Sequence, residues 1–275
     1  MKNMNQLSFT IGKKLKNKTI VLFWAILFLA PLQSFSYIPD ISFVAKKMTS
    51  TTGRKIIQID QEVTFKVGEE EAKVDETWFI EGDRNLKVIV NGKNLYKDSI
   101  KLNYVYNNKH KTFFSGKNKQ TQLTTTDFYQ KIIFTRAADS FMNYLNEFYV
   151  SKEIRLSRAD GVVSFALGAP SIDSMSPQIW IGQDDFVIRK IRTPSAAEIS
   201  FGKIEEVSKD LFLAKEQVIR WPGAEATIKV KKVNPQTKLT LSAFYPQNIE
   251  FPSELSFANK TTLTAAIEDF YSRFR

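Results

Sequence analysis

Residues 57–67 read IQIDQEVTFKV and alternate between apolar and polar side chains. Successive side chains of a β-strand point to opposite faces of its sheet, so this alternation is typical of a strand with one buried face and one wet face. The pattern returns over 74–80 and over 86–90, and Asn91-Gly92 then provides the residues of a hairpin turn. This part of the chain therefore predicts an antiparallel meander, one face of which other elements must cover.

Three stretches depart from the alternation and place apolar residues three or four positions apart, which is the spacing of an amphipathic helix. The first begins after Pro39, the second covers about 125–149, and the third covers about 262–274. Alternating segments resume between the second and the third, from 154 to 233. The sequence contains no repeats and no long linker, so we predict a single mainly β domain of the α+β class over residues 37–275.

The first 36 residues have the organisation of a secretory signal peptide. Lysines without any acidic residue precede the apolar run Ile20–Ala30, and Ser34 and Ser36 place small residues at the −3 and −1 positions before Tyr37. A membrane-spanning helix needs about 20 apolar residues, so cleavage is favoured over a retained anchor. The chain also has no Cys, as is common in bacterial periplasmic proteins. We therefore predict a bacterial protein exported to the periplasm.

The charge of the mature chain argues against a nucleic-acid partner. The signal peptide carries five of the 39 basic residues and none of the 29 acidic ones, so the mature chain has 34 against 29, or +5. These charges are spread along the sequence, whereas nucleic-acid binding normally needs a basic stripe. We expect no nucleic-acid binding.

Residues that could form a catalytic or metal site are scarce. The one histidine, His110, lies in a polar turn, and without Cys most metal sites and nucleophile–base pairs cannot be assembled. Acidic pairs such as Asp184-Asp185 lie in predicted turns, where solvated carboxylates are ordinary. We therefore expect no enzymatic activity, no metal and no cofactor.

Aromatic and aliphatic surface is the abundant feature of the sequence, which contains 22 Phe. A sheet with one wet face must cover the other. Either sheet and helices close into an ordinary packed core, or a curved sheet under a helical lid leaves an apolar cavity for a lipid-like ligand. Burying an acyl chain of about a dozen methylenes gains on the order of 10 kcal/mol, which is ample for binding. Composition does not separate the two alternatives.

The order of elements carries a family resemblance. A signal peptide, a first helix and the strand 55–67 are followed by ETWFI (76–80), VNGKNLY (90–96), the helical insertion, GQDDFVIR (182–189) and the closing segment 198–244. This order resembles that of the LolA-like family of periplasmic lipoprotein carriers and outer-membrane lipoprotein-sorting proteins. The resemblance covers nearly all of residues 38–246, and the segment 246–275 has no counterpart in it.

The resemblance implies an open, strongly bent antiparallel half-barrel closed by helices, with an apolar interior that receives the acyl chains of lipoproteins or lipids. Members of this wider group either ferry lipoproteins across the periplasm or serve as lipid-responsive sensors. We expect a monomer whose partners are an inner-membrane transporter and an outer-membrane acceptor. In the carriers an arginine shortly after the Trp of the second strand helps to hold the lid closed. The matching position here lies near Glu81, with Arg84 only nearby, so that role is not carried over.

The predicted binding site has two walls. The concave face of the sheet is expected to contribute Ile57, Ile59, Val63, Phe65, Trp78, Trp180 and Phe201, and the lid Phe134, Phe141, Met142, Leu145 and Phe148. The alternative is a periplasmic sensor or scaffold with the same fold, which binds an envelope protein and has no transport role. That alternative predicts a cavity too small for an acyl chain.

Overall fold

The computed structural model describes residues 38–170, 175–235 and 237–275. The predicted signal peptide, residues 1–36, lies outside the described residues. Within the described ranges, no helix is long and apolar enough to cross a membrane.

A 14-stranded antiparallel sheet forms most of the described chain. The first six strands are β1 (Ile57–Val67), β2 (Glu70–Glu81), β3 (Asn85–Gly92), β4 (Ile100–Asn107), β5 (His110–Ser115) and β6 (Asn118–Leu123). The next seven are β7 (Ile154–Ala159), β8 (Val162–Leu167), β9 (Gln178–Gly182), β10 (Ile188–Arg192), β11 (Glu198–Ser208), β12 (Leu211–Trp221) and β13 (Ala224–Asn234). The short strand β14 (Glu254–Leu255) pairs with β4.

The strand order consists of two meanders joined side by side. Across the sheet it is β6-β5-β4-β3-β2-β1-β13-β12-β11-β10-β9-β8-β7, and the two halves meet where β1 pairs with β13. Strands β6 and β7 are the two edges, so the sheet is open. The predicted fold class, a mainly β protein with an open, curled antiparallel sheet and a few helices, is confirmed.

Strand β1 shows how the alternation of the sequence builds the core. Ile57, Ile59, Val63 and Phe65 are buried, and the residues between them are mostly half-exposed. Gln61 occupies the same face and is also buried. A buried amide needs a hydrogen-bond partner inside the protein, and the Gln61 amide donates to the Glu76 carboxylate of β2.

The connection after β3 differs from the predicted hairpin turn. A 3₁₀ turn over Asn94–Tyr96 follows the end of β3, and β4 begins only at Ile100. A Cβ on Gly92 would lie 1.9 Å from the carbonyl oxygen of Tyr96. Gly92 is therefore needed for the close approach of the following turn and does not itself form a two-residue hairpin.

The described chain contains α-helices at α1 (Ile41–Thr49), α2 (Gln130–Ile133), α3 (Ala138–Glu147) and α4 (Thr262–Arg273). The stretch predicted as one helix at about 125–149 is thus divided into α2 and α3. Between them, the main-chain oxygen of Thr135 accepts a hydrogen bond from the Thr52 hydroxyl at 3.1 Å. Arg136 donates to the main-chain oxygen of Lys55 at 2.6 Å. These tertiary contacts hold the chain in a non-helical conformation despite its helical spacing.

Helix α4 belongs to the segment 246–275, to which the family resemblance of the sequence does not extend. Its buried face comprises Leu263, Thr264, Ile267, Phe270 and Tyr271, and it packs on strands β1 and β2. The apolar members of this face join one core cluster with the inward-facing residues of the sheet. Helix α4 therefore lies inside the curl of the sheet and contributes to the main core.

Candidate ligand-binding cavity

A cavity of about 60 Å³ lies between the concave face of the sheet and the first two helices. Its walls come from α1 and the residues after it, from α2 and its flanks, and from strands β1, β2 and β10 to β13. Most of the lining side chains are aliphatic or aromatic. The arrangement is that of an apolar pocket between a curved sheet and its helical cover.

One side of the cavity reaches the surface. The lining residues Ile133, Ile204, Leu213 and Val230 each keep part of their surface in water. We call these four residues the mouth. Deeper lining residues such as Trp78 are buried. The cavity is therefore an apolar recess that solvent can reach through an aliphatic rim.

The inner end of the cavity contains a buried charge network centred on Glu76, whose side chain has no exposed surface. Its carboxylate accepts hydrogen bonds from Gln61 Nε2 at 2.7 Å and from Trp78 Nε1 at 2.9 Å. It also accepts from the Tyr271 hydroxyl at 3.1 Å and from Arg275 Nε at 3.1 Å. Because a buried charge is costly unless it is paired and hydrogen-bonded, these four donors account for its position in the core.

The environment fixes the protonation of the donors around Glu76. Burial, and then the charge of Glu76, raise the pKa of Tyr271 well above its usual value. The hydroxyl therefore stays protonated and donates a hydrogen bond to Glu76. Burial alone would lower the pKa of Arg275, but the charge of Glu76 raises it overall. The guanidinium also lies between two aromatic rings, 5.2 Å from the centre of Trp78 and 4.6 Å from that of Phe270.

Lys111 holds the main chain of the same segment. Its Nζ donates to the main-chain oxygen of Arg275 at 2.7 Å and lies 4.6 Å from the centre of the Tyr104 ring. Burial lowers the pKa of Lys111 to about 8. The end of the described chain is therefore fastened to β5 as well as to β2.

A second, more exposed charge cluster holds the end of α4. Arg273 Nε lies 2.9 Å from Asp127 Oδ2, and its Nη2 donates to the Ser195 hydroxyl at 2.6 Å. The Ser195 hydroxyl in turn donates to Asp127 at 2.7 Å, and the Thr125 hydroxyl donates to the main-chain oxygen of Arg273. The connection from β6 to α2, which carries Thr125 and Asp127, and the connection from β10 to β11, which carries Ser195, thus meet at one arginine of α4.

The structure brings part of the predicted site together. Four predicted residues line the cavity: Ile59, Trp78, Phe134 and Phe201. Six are buried in the same core without lining the cavity: Ile57, Val63, Phe65, Phe141, Leu145 and Phe148. Met142 is half-buried against that core.

Trp180 lies on the other face of the sheet. Its neighbours in β9, Ile179 and Ile181, belong to the main core, whereas Trp180 clusters with Ala159 and Ala166. Lys190 covers its ring at 5.5 Å. Trp180 therefore does not line the cavity, although the sequence led us to expect it there.

Sequence reasoning missed several lining residues, among them Met48, Gln61, Tyr129, Gln217 and Arg275. Gln61 could have been found, because it occupies an inward position in the alternation of β1. The hydrogen bond from Tyr129 to Gln217 at 2.9 Å joins positions 88 residues apart, and no local pattern predicts it.

The described residues place no group of three or more His, Cys, Asp or Glu side chains where they could hold a metal ion. His110 is exposed at the start of β5. The described side chains that line the cavity offer apolar contact, neutral hydrogen bonding and, through Arg275, one compensated ion pair.

Comparison with known proteins finds similarity in structure alone. No family model matches the sequence, and comparison with curated proteins finds no relative. A LolA superfamily protein from Nitrosomonas europaea has a TM-score of 0.55 at 10% identity, over 76% of this chain and 98% of that chain. A putative outer membrane lipoprotein-sorting protein domain from Vibrio parahaemolyticus has a TM-score of 0.53 at 9% identity, over 76% and 97%. A DUF1329 family protein from Desulfovibrio piger has a TM-score of 0.52 at 8% identity, over 76% and 98%. The strand order and these similarities show that the chain has the LolA-like fold.

Proposed function

We propose that this protein is a periplasmic, non-enzymatic carrier that binds the acyl chains of lipoproteins or lipids inside the half-barrel and transfers them towards the outer membrane. The observation that carries the proposal is the apolar cavity with an aliphatic mouth between the concave sheet and the helices. The signal-peptide pattern of residues 1–36 supports the periplasmic location. Its partners would be an inner-membrane transporter as donor and an outer-membrane acceptor.

The half-exposed residues of the mouth favour ligand binding over a completely filled core. Leu213 and Val230 lie on adjacent strands, and Ile133 approaches from α2. Covering half-exposed apolar side chains with an apolar ligand is favourable by roughly 25 cal/mol per Å² of apolar surface removed from water. An acyl chain provides such cover without any catalytic group.

The size of the cavity requires the protein to open further. An apolar cavity of about 150 Å³ holds one molecule of benzene, and this cavity has about 60 Å³. A complete acyl chain therefore needs one of the covering elements to move. The gain from burying a dozen methylenes, on the order of 10 kcal/mol, is large enough to drive such a movement.

The small volume of the cavity is also what a second candidate function would show. This candidate is a sensor or scaffold that has the same fold and binds an envelope protein. On that reading the interior stays filled and the cavity is a packing defect. The two candidates predict different behaviour towards lipids and proteins.

Saturable uptake of a fluorescent acyl probe by the purified mature protein tests the proposal. The carrier predicts uptake with one site per protein and displacement by unlabelled fatty acyl compounds. Absence of uptake, together with an envelope protein that stays bound after complete delipidation, would favour the sensor or scaffold instead.

A further inference from the structure

Helix α4 occupies the surface on which an acyl chain would be expected to lie. We call residues 262–275, which comprise α4 together with Phe274 and Arg275, the plug. The Phe270 ring of the plug packs edge-to-face on Phe65 of β1 with 4.9 Å between ring centres. The Phe274 ring lies 5.5 Å from Trp221 of β12. With 12 residues, α4 covers roughly 18 Å of the concave face.

The plug also separates the cavity from the rest of that face. Arg275 is its one lining residue in the cavity, and it lies at the inner end beside Trp78 and Gln61. If the plug moved away, the cavity would continue along β1 and β2 over surface that Phe270 and Tyr271 now cover. The plug therefore bounds the cavity at its inner end through Arg275.

The contacts of the plug are of two kinds. Its apolar face makes contacts that are non-directional, so an acyl chain can replace them with contacts of the same kind. Its directional contacts are concentrated at the end of the helix, where Arg273 binds Asp127 and Arg275 binds Glu76. We call these two ion pairs the latch, the first outer and the second inner.

The start of α4 leaves the helix able to move as a unit. Thr261 and Thr264 form a capping box, with hydrogen bonds of 2.8 Å and 3.2 Å between them. The helix therefore satisfies its first amides without help from the sheet. The preceding residues 258–261 are all exposed, so they form a connection that can change direction without exposing core surface.

We propose that the plug is a built-in competitor of the ligand: an acyl chain too long for the cavity displaces residues 262–275 from the concave face. Opening the inner latch leaves Glu76 without its counter-ion, so the latch opposes this displacement and sets how readily it happens. The inference rests on the proposed acyl-chain binding. It adds that affinity is limited by the plug and that ligand binding releases α4 instead of ordering it.

Weakening the outer latch tests the first part. Arg273→Gln removes the ion pair with Asp127, and Arg220→Gln removes an exposed ion pair with Glu225 on the β12–β13 hairpin as a matched control. We expect Arg273→Gln to bind a fluorescent acyl probe about tenfold more tightly than the unchanged protein, because a charge-assisted contact no longer opposes displacement. Arg220→Gln should bind with unchanged affinity.

Movement of α4 tests the second part. The chain lacks Cys, so pairs of introduced cysteines can carry nitroxide labels without background. The test pair is Ala265→Cys on the exposed side of α4 with Lys232→Cys on β13, and the control pair is Lys66→Cys on β1 with Lys232→Cys. On saturation with the acyl probe, the distance of the test pair should lengthen and broaden, and that of the control pair should stay the same.

The outcomes separate the two proposals. Probe binding with an unchanged test-pair distance, or with equal affinities of Arg273→Gln and the unchanged protein, would overturn the plug and leave the carrier function standing. Binding by neither the unchanged protein nor Arg273→Gln would overturn both. Binding detectable only in Arg273→Gln would support both.

Discussion

Arg275 and Glu76 form an ion pair that is closed off from water, with side chains 1% and 0% exposed. They lie 199 positions apart, so this one contact joins the end of the described chain to the second strand of the sheet. It lies at the inner end of the cavity, at the point where the plug meets the residues that would contact a ligand. The stability of the interior and its capacity to open thus depend on the same pair.

Removing one partner of this pair should be strongly destabilising. Arg275→Met leaves Glu76 buried without its counter-ion, and we expect the free energy of unfolding to fall by about 3–5 kcal/mol. Arg220→Met breaks an exposed pair with Glu225 and should cost less than about 1 kcal/mol. Urea denaturation of both variants measures the difference. Equal losses of unfolding free energy in Arg275→Met and Arg220→Met would contradict the importance that we assign to the buried pair.

Gly92 should tolerate no side chain. In Gly92→Ala the new Cβ would lie 1.9 Å from the Tyr96 carbonyl oxygen, so the 3₁₀ turn must shift, at a cost of about 2 kcal/mol or more. Gly202→Ala is the matched control, since its Cβ would meet its nearest neighbour at an ordinary 3.7 Å. Thermal unfolding of the two variants tests this. A Gly92→Ala protein as stable as Gly202→Ala would refute the close approach.

Lys111 should make stability depend on pH. Burial lowers its pKa from the ordinary 10.5 to about 8, so between these values the unfolded chain binds a proton that the folded protein has released. The free energy of unfolding should therefore rise with pH from about 8 to about 10.5, and below pH 8 the penalty for burying the charge is fully present. Lys111→Met should lose this rise. Urea titrations of both proteins from pH 7 to pH 10 measure it, and parallel pH profiles would count against the buried charge.

The mouth should control ligand entry. Leu213→Asp places a charge in the aliphatic rim, and we expect uptake of a fluorescent acyl probe to weaken at least tenfold, because a methylene chain cannot compensate the desolvation of a carboxylate. Leu95→Asp is the control, since Leu95 is 91% exposed and lies outside the cavity. Both variants should fold, because neither position is buried. Equal uptake by the two would place the entry route elsewhere.

The sequence predicts the sheet well where alternation is strict. In β1 the positions of Ile57, Ile59, Val63 and Phe65 indicate the buried face, and all four are buried in the structure. In β9 the run Gln178–Gly182 is buried on both faces, so its pattern does not indicate which side Trp180 occupies. The sequence of β9 therefore does not determine which face of the sheet Trp180 occupies.

Contacts between distant parts of the chain account for the remaining differences. The break between α2 and α3 depends on Thr52 and Lys55, which hydrogen-bond to residues 135 and 136 across the fold. The pairing of Arg275 with Glu76 has no local signal either, because an arginine that follows an amphipathic helix is ordinarily solvated. Both features depend on partners that are distant in the sequence, so local patterns do not predict them.

Mass spectrometry of organic extracts tests acyl-chain binding most directly, on protein purified from the periplasm under native conditions without detergent. A carrier should yield an acyl-chain compound in about a one-to-one ratio to the protein, reduced in the Leu213→Asp variant and retained in Leu95→Asp. An extract without stoichiometric lipid, from protein that also fails to take up an acyl probe, would contradict acyl-chain binding.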